Sequence, residues 1–152
     1  MIKATEIMTA LSEGALNGAP QLKRIYFDVA PVGFLRPSLW IEAMQSSAKA
    51  ANKSLVERTE KFLLTVVDVT DDYSNTDALG LLDLRDSILG IFHKGYLWVG
   101  DRALGVAAMP AGRDLDKAFV EVEFNFMDDR GIEEEPLPPM EELVLNTNNM
   151  AR

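Results

Sequence analysis

The residue types that most often carry catalysis or bind metals are sparse in this chain. It contains no cysteine and a single histidine, His93. Without the cysteine sulfur atom, the chain cannot form disulfides, thiolate metal sites or a thiol nucleophile. His93 follows an amphipathic segment and stands beside Lys94 with no obvious partner, which favours a surface role at a helix end. We therefore expect no catalytic residue, no cofactor-binding residue and no metal ligand.

Two segments partly match ligand-binding motifs but lack residues that those motifs need to bind the ligand. The run Asp68–Asp77 is rich in oxygen ligands, but it lacks the acid spacing, the turn glycine and the final glutamate of a calcium loop. Gly100 and Gly105 have the spacing of a phosphate-binding loop, yet valine and alanine follow where lysine and serine or threonine are required. We interpret the first segment as a strand-to-helix loop, and the glycines as a hairpin turn and a strand irregularity.

Three basic residues, Lys49, Lys53 and Arg58, surround a segment that is rich in alanine, serine, lysine and asparagine. Charge clusters of this kind are usually part of a solvated loop. The alternative is a contact with acidic groups on another subunit or on a larger assembly. We keep these three residues as the candidate contact site of the chain.

Composition and charge narrow the class of protein. At 152 residues, with 47% hydrophobic and 26% charged residues, the chain fits one soluble globular domain. Its formal net charge is −9, whereas DNA binding draws its affinity from basic residues that neutralise phosphates. Charged residues interrupt the apolar N-terminal stretch, and no run approaches the roughly 20 apolar residues of a membrane span. We expect no specific nucleic-acid binding, no membrane association and no secretion.

Hydrophobic periodicity predicts helices at Ile2–Ala15 and Thr76–Phe92, the second with Ser74 and Asp77 as capping residues. Two-residue alternation predicts strands at Arg24–Val29, Ser38–Gln45, Arg58–Val69, Tyr96–Val99, Ala103–Met109 and Ala118–Met127. Ser46–Glu57 lacks this alternation and predicts a long, mobile loop that becomes ordered on docking. The order of elements predicts an α+β fold: a mixed, largely antiparallel sheet of about four to six strands with two helices packed on it.

The acidic residues are concentrated at the C-terminal end of the chain. Residues 128–152 hold seven carboxylates and two arginines, a net charge of −5, which leaves −4 for the first 127 residues. Three prolines also fall in this segment. We therefore predict a domain over residues 1–127 and an extended acidic arm over residues 128–152.

A series of short motifs in the first half of the chain resembles a known family. The motifs are Ile25–Asp28, Gly33–Phe34, Arg36–Ser38 and Trp40–Glu42. Preceded by an N-terminal helix and followed by an arginine-led strand over Arg58–Val67, they resemble the tail terminator-like proteins of Gram-positive phages and prophages. The similarity covers roughly Ile2–Met127.

The resemblance implies a structural role in a virion, with no catalysis and no cofactor. It implies a homo-oligomeric ring, typically of six subunits, that caps the tail tube, ends tube polymerisation and joins the tail to the head. The implied partners are tail-tube and head-connector proteins, with assembly in the cytoplasm of the bacterial host and final location in the virion tail. The alternatives are another head–tail connector or tail-tube protein, or a small enzyme, which the missing catalytic constellations disfavour.

We expect that neither a divalent metal ion nor a nucleotide stabilises the folded protein. A ligand that binds only the native state raises the free energy of unfolding, so any such site is detectable by thermal unfolding. The melting temperature should be unchanged by calcium, magnesium, zinc or ATP. A rise that saturates with ligand concentration would overturn the non-enzymatic interpretation.

Overall fold

The structure is a computed structural model that describes residues 1–71, 73 and 75–129. This part of the chain forms two helices and one six-stranded sheet. The elements are α1 (Ala4–Gly18), β1 (Arg24–Phe27), β2 (Ser38–Ala50), β3 (Leu55–Val67), α2 (Ala78–Gly90), β4 (Tyr96–Val99), β5 (Arg102–Asp114) and β6 (Lys117–Asp129). The predicted α+β class with two helices is confirmed.

The strands follow the order β1-β2-β3-β6-β5-β4 across the sheet. β1 pairs with β2 in parallel, and the other four pairings are antiparallel, so the sheet is mixed as predicted. β3 and β6 occupy the two central positions and pair along their full lengths, from Leu55 opposite Asp129 to Val67 opposite Lys117. Both faces of β3 are largely apolar between Phe62 and Val67, which is typical of a strand at the centre of a sheet.

The core lies between the two helices and one face of the sheet. β6 illustrates the pattern, because its even-numbered residues from Ala118 to Asp128 are buried while the alternating residues from Glu121 onwards are exposed. The helices contribute apolar residues at three- and four-residue spacing: Ile7, Leu11 and Ala15 from α1, and Leu81, Leu84 and Ile88 from α2. At the centre, Phe62 and Phe124 pack edge to face with ring centroids 5.9 Å apart.

The capping prediction for the second helix is confirmed at Asp77. Its side-chain Oδ1 accepts a hydrogen bond from the Leu79 N–H at 3.1 Å, which satisfies one of the free donors of the first turn. Ser74, the other predicted capping residue, lies outside the described residues.

The prediction of a long loop over Ser46–Glu57 is wrong. Ser46–Ala50 continues β2 and Leu55–Glu57 begins β3, so only residues 51–54 form the turn between them. Ser46–Ala50 has too few apolar side chains for the pattern of a half-buried strand. It is nevertheless a strand, because its backbone hydrogen bonds with β3 do not depend on apolar side chains. β3 is itself fixed by β6 on its other side, and it holds this part of β2 in the sheet.

The predicted domain boundary after residue 127 falls inside a strand. β6 continues to Asp129, which pairs with Leu55, and Asp128 is buried on the helix side of the sheet. The rest of the predicted acidic arm, residues 130–152, lies outside the described residues.

Truncation of Phe62 to alanine should strongly destabilise the fold, because it empties the centre of the core and removes the aromatic contact with Phe124. The free energy of unfolding should fall by about 3 to 5 kcal/mol, measured by urea denaturation. Val32→Ala, at a fully exposed loop position, serves as the control and should change the free energy by less than about 0.5 kcal/mol. Equal effects of the two substitutions would contradict this description of the core.

Candidate functional site

A buried carboxylate joins the N-terminal residues to three strands. The Asp128 side chain has no exposed surface, and its Oδ2 accepts hydrogen bonds from the Ile2 N–H at 2.9 Å and from Arg58 at 2.7 Å. Its Oδ1 accepts from Arg102 at 3.0 Å and from the Asp129 N–H at 2.9 Å. Every lone-pair direction of this carboxylate is therefore directed at a donor, as a buried charge requires.

Arg58 is the second centre of this cluster. Its guanidinium also donates to Glu60 Oε1 at 2.7 Å and to the Ile2 carbonyl oxygen, and it lies 5.0 Å from the centroid of the Phe126 ring. Burial opposes the charge of Arg58, but the hydrogen bonds and charges of Glu60 and Asp128 outweigh it and raise its pKa above the usual value.

Asp128 is kept ionised because its hydrogen bonds outweigh the effect of burial, as they do for Arg58. Burial opposes ionisation, but the hydrogen bonds from the Ile2 N–H, Arg58, the Asp129 N–H and Arg102 together outweigh it and lower the pKa to about 2. The cluster therefore stays charged at neutral pH and ties the segment before α1 to β3, β5 and β6.

The structure separates the three predicted contact residues. Lys49 is exposed on β2, opposite Glu57, and Lys53 lies in the exposed turn between β2 and β3. Arg58 instead points to the helix side of the sheet and is only 9% exposed, because it pairs with Asp128 and Glu60. Arg58 is therefore not part of a surface contact with the two lysines, and this part of the prediction is wrong.

The sheet face opposite the helices, called the outer face here, carries a different set of residues. On β3 and β6 these are the odd-numbered residues, and the register extends the face to β2, β4 and β5. Large apolar side chains are exposed on it: Trp98 is 60% exposed, Met109 58%, Met127 43% and Tyr96 41%. Exposed aromatic and methionine side chains on one continuous face are typical of a protein–protein contact surface.

A groove of about 290 Å³ lies on the outer face. Lys61 lies in it, with Gln45 and Glu123 as its neighbours on the adjacent strands. The groove also contains the exposed methionines Met44 and Met109. Its chemistry is a mixture of apolar side chains and opposite charges, which suits a protein surface better than a small polar substrate.

The family-like motifs meet at the β1–β2 edge of the sheet. Phe34 packs edge to face on Trp40 with ring centroids 5.1 Å apart, and Tyr26 packs on Phe34 at 6.4 Å. The Arg36 guanidinium lies 4.7 Å from the Phe34 centroid, forms an ion pair with Asp116 and donates to the Asp68 carbonyl oxygen at 3.0 Å. These contacts fix residues 28–37 against the sheet.

The fixed segment presents apolar side chains to solvent. Val29 is 79% exposed, Val32 is fully exposed and Leu35 is 51% exposed. A loop that is anchored by aromatic and ionic contacts yet exposes three aliphatic side chains has the features of a contact surface.

The residues that partly match a calcium loop and a phosphate-binding loop have structural roles. Asp71 Oδ1 accepts from the N–H groups of Asn75 and Tyr73, which lowers its pKa. Gly100 lies in the β4–β5 turn with a φ of +62°, and Gly105 stands in regular register, where a Cβ would lie 3.1 Å from the Asn125 carbonyl oxygen. The hairpin turn is therefore confirmed, whereas Gly105 marks a close strand approach and not an irregularity.

His93 is exposed in the turn that follows α2. Within the described residues, no group of three or more histidine and carboxylate side chains is placed to hold a metal ion. Among the described residues, no helix is both long enough and apolar enough to cross a membrane.

No family model matches the chain, and no curated protein matches it either.

Substitution of Asp128 by asparagine should destabilise the protein in a pH-dependent manner. The native pKa of Asp128 is below its usual 3.8, so its ionisation contributes stability above pH 4, which is lost as the pH falls towards 2. The difference in unfolding free energy between wild type and Asp128→Asn should be at least about 2 kcal/mol at pH 7 and should shrink towards pH 2. Urea denaturation over this pH range is the measurement.

Asp101→Asn, at an exposed position in the β4–β5 turn, is the matched control and should change the unfolding free energy by less than about 0.5 kcal/mol at pH 7. A difference for Asp128→Asn that stays constant between pH 7 and pH 2 would contradict the role given to its ionised form.

Proposed function

We propose that this chain is a structural protein of a tailed phage or prophage that forms a ring on the end of the tail tube. In this role it stops the addition of tube subunits and provides a surface to which the head connector binds. Its activity is binding between protein subunits, without catalysis and without a cofactor. The motif resemblance at the β1–β2 edge is the source of the family assignment.

The observation that carries the proposal is the unequal covering of the sheet. Both helices pack on one face, while the outer face exposes Tyr96, Trp98, Met109 and Met127 around a shallow groove. A largely antiparallel sheet can leave one face in solvent, but exposed aromatic and methionine side chains on that face are enriched at protein–protein interfaces. In the proposed role, neighbouring subunits of the ring and the subunits of the tube would cover this face.

The charge of the chain is consistent with a conduit for DNA. A ring of six subunits with a formal charge of −9 each would carry −54. Negative charge around the lumen would repel the phosphates of a passing duplex and reduce non-specific adhesion. Lys49 and Lys53 remain candidates for contacts with acidic groups on a neighbouring subunit or on the tube.

The alternatives are a tail-tube subunit, another head–tail connector and, less well supported, a small enzyme. A tube subunit repeats along the whole tail, whereas a terminator occurs only at its end. Loss of the protein therefore has different consequences in each case. It gives no tubes for a tube subunit, tubes of uncontrolled length for a terminator, normal-length tails separate from heads for another connector, and normal particles for an unrelated enzyme.

Electron microscopy of particles made without this protein tests the proposal. Deletion of its gene from the phage or prophage that encodes it should give free heads and tubes of variable length. Resupply of the wild-type protein should restore joined particles, whereas Trp98→Asp, which places a charge on the outer face, should restore at least tenfold fewer.

The matched control is Leu79→Asp, which alters an exposed apolar side chain on α2 instead of the outer face. This variant should restore joined particles as well as wild type does, and both variants should keep a wild-type melting temperature. Normal tails in the absence of the protein would refute the proposal, and complete loss of tubes would indicate a tube subunit instead.

A further inference from the structure

The sheet has two long edges on which the backbone is not covered by a neighbouring strand of the described chain. On one side, β1 pairs with β2 only as far as Ile41, so the edge from Glu42 to Ala50 is open. On the other side, β4 pairs with β5 only as far as Gly105, which leaves the rest of β5 open. Open strand edges bind other strands readily unless the sequence prevents it.

The edge of β5 is blocked by a proline. The Val106 N–H donates to the Gly95 carbonyl oxygen on the β4 side, so it points away from β6. Because the direction alternates along a strand, the nitrogens of Ala108 and Pro110 point the same way. Proline has no N–H, and Pro110 therefore removes a donor at the centre of this edge. The edge of β2 contains no proline between Ser38 and Ala50.

The open edge of β2 is complementary to itself. Opposite β3, Ser46 pairs with Glu60, Glu42 pairs with Leu63 and Lys49 pairs with Glu57. The β3 partners of Glu42 and Lys49 each lie three residues from Glu60, the partner of Ser46. Because the bulge between Ala43 and Gln45 absorbs one extra residue of β2, Glu42 and Lys49 therefore lie at equal distances on either side of Ser46. Both side chains project from the outer face, because their partners Leu63 and Glu57 are odd-numbered residues of β3.

Two copies of this edge would match when they run antiparallel around a two-fold axis at Ser46. Glu42 of each copy then lies directly opposite Lys49 of the other, which gives two ion pairs. Gln45 lies opposite Ser47 on the same face, and Ala43 lies opposite Ala48 on the helix side. No like charges and no bulky side chains oppose each other, as a stable cross-strand arrangement requires.

We propose that a second copy of this chain binds here, and that the two β2 edges join the two sheets into one twelve-stranded sheet. The interface is isologous, the commonest type in homodimers. It stops at the C-terminal end of β1, because the Asp28 N–H already donates to the Ile41 carbonyl oxygen. The exposed side chains of Phe27, Val29 and Met44 lie at this same edge and would be covered by the turn of the partner's hairpin.

The pairing does not depend on the proposed role in tail assembly. It concerns the free protein, in which a paired β2 edge would be protected from other strands. With a charge of −9 on each copy, long-range repulsion weakens the dimer at low salt, and moderate salt that screens this repulsion should favour pairing.

A charge-swap experiment tests the proposal. Sedimentation equilibrium at protein concentrations from about 1 μM to about 1 mM should show a monomer–dimer equilibrium. Glu42→Lys and Lys49→Glu should each weaken dimerisation about tenfold, because each replaces two attractive pairs with two repulsive ones. The double variant Glu42→Lys with Lys49→Glu should restore the wild-type dissociation constant.

Lys94→Glu is the matched control, since it makes the same charge change at an exposed position after α2 and should leave dimerisation nearly unchanged. Thermal unfolding of every variant excludes misfolding as the cause, and hydrogen exchange at Ala43–Ala50 should slow as protein concentration rises. A protein that remains monomeric to 1 mM, associates only into larger rings, or dimerises without recovery in the double variant would overturn the proposal.

Discussion

The buried carboxylate of Asp128 is the constraint on which much of the arrangement depends. It accepts hydrogen bonds from the N-terminal backbone and from Arg58 and Arg102, so one charged group connects the start of α1 with three strands. A buried ion cluster stabilises little compared with an apolar core of the same shape, but it is severely disrupted when one member is lost. Its effect here is positional, because it sets where α1 enters the helix layer.

Both helices pack on the same side, so the molecule has one covered and one open sheet face. The apolar residues of α1 and α2 cover the even-numbered residues of β3 and β6, whereas Trp98, Tyr96 and Met109 remain exposed on the other side. The aromatic contacts of Phe34 with Trp40 then fix the β1–β2 connection. An open face, a fixed apolar loop and an open β2 edge are three separate candidate contact surfaces.

The sequence correctly predicted the elements whose own residues show an apolar pattern or a capping residue. The alternation in β3 and β6 and the cap at Asp77 are local signals, and the structure confirms them. The pairing of Ser46–Ala50 cannot be predicted from its own residues, because an edge strand of small polar residues has no apolar pattern and depends on its partner strand. Arg58 and Asp128 are in phase with the buried residues of their strands, which is a sequence signal for burial. The pairing of the two charges has no such signal, because they lie 70 residues apart.

We propose that this chain works by assembly at one end of a tail tube. Cryo-electron microscopy of the head-proximal end of tails from the phage or prophage that encodes it tests this proposal. We expect a single ring of this α+β fold at the end of the tube, with the outer face of the sheet covered by neighbouring subunits or by the tube. The same fold repeated along the tube, or absent from the particle, would contradict it.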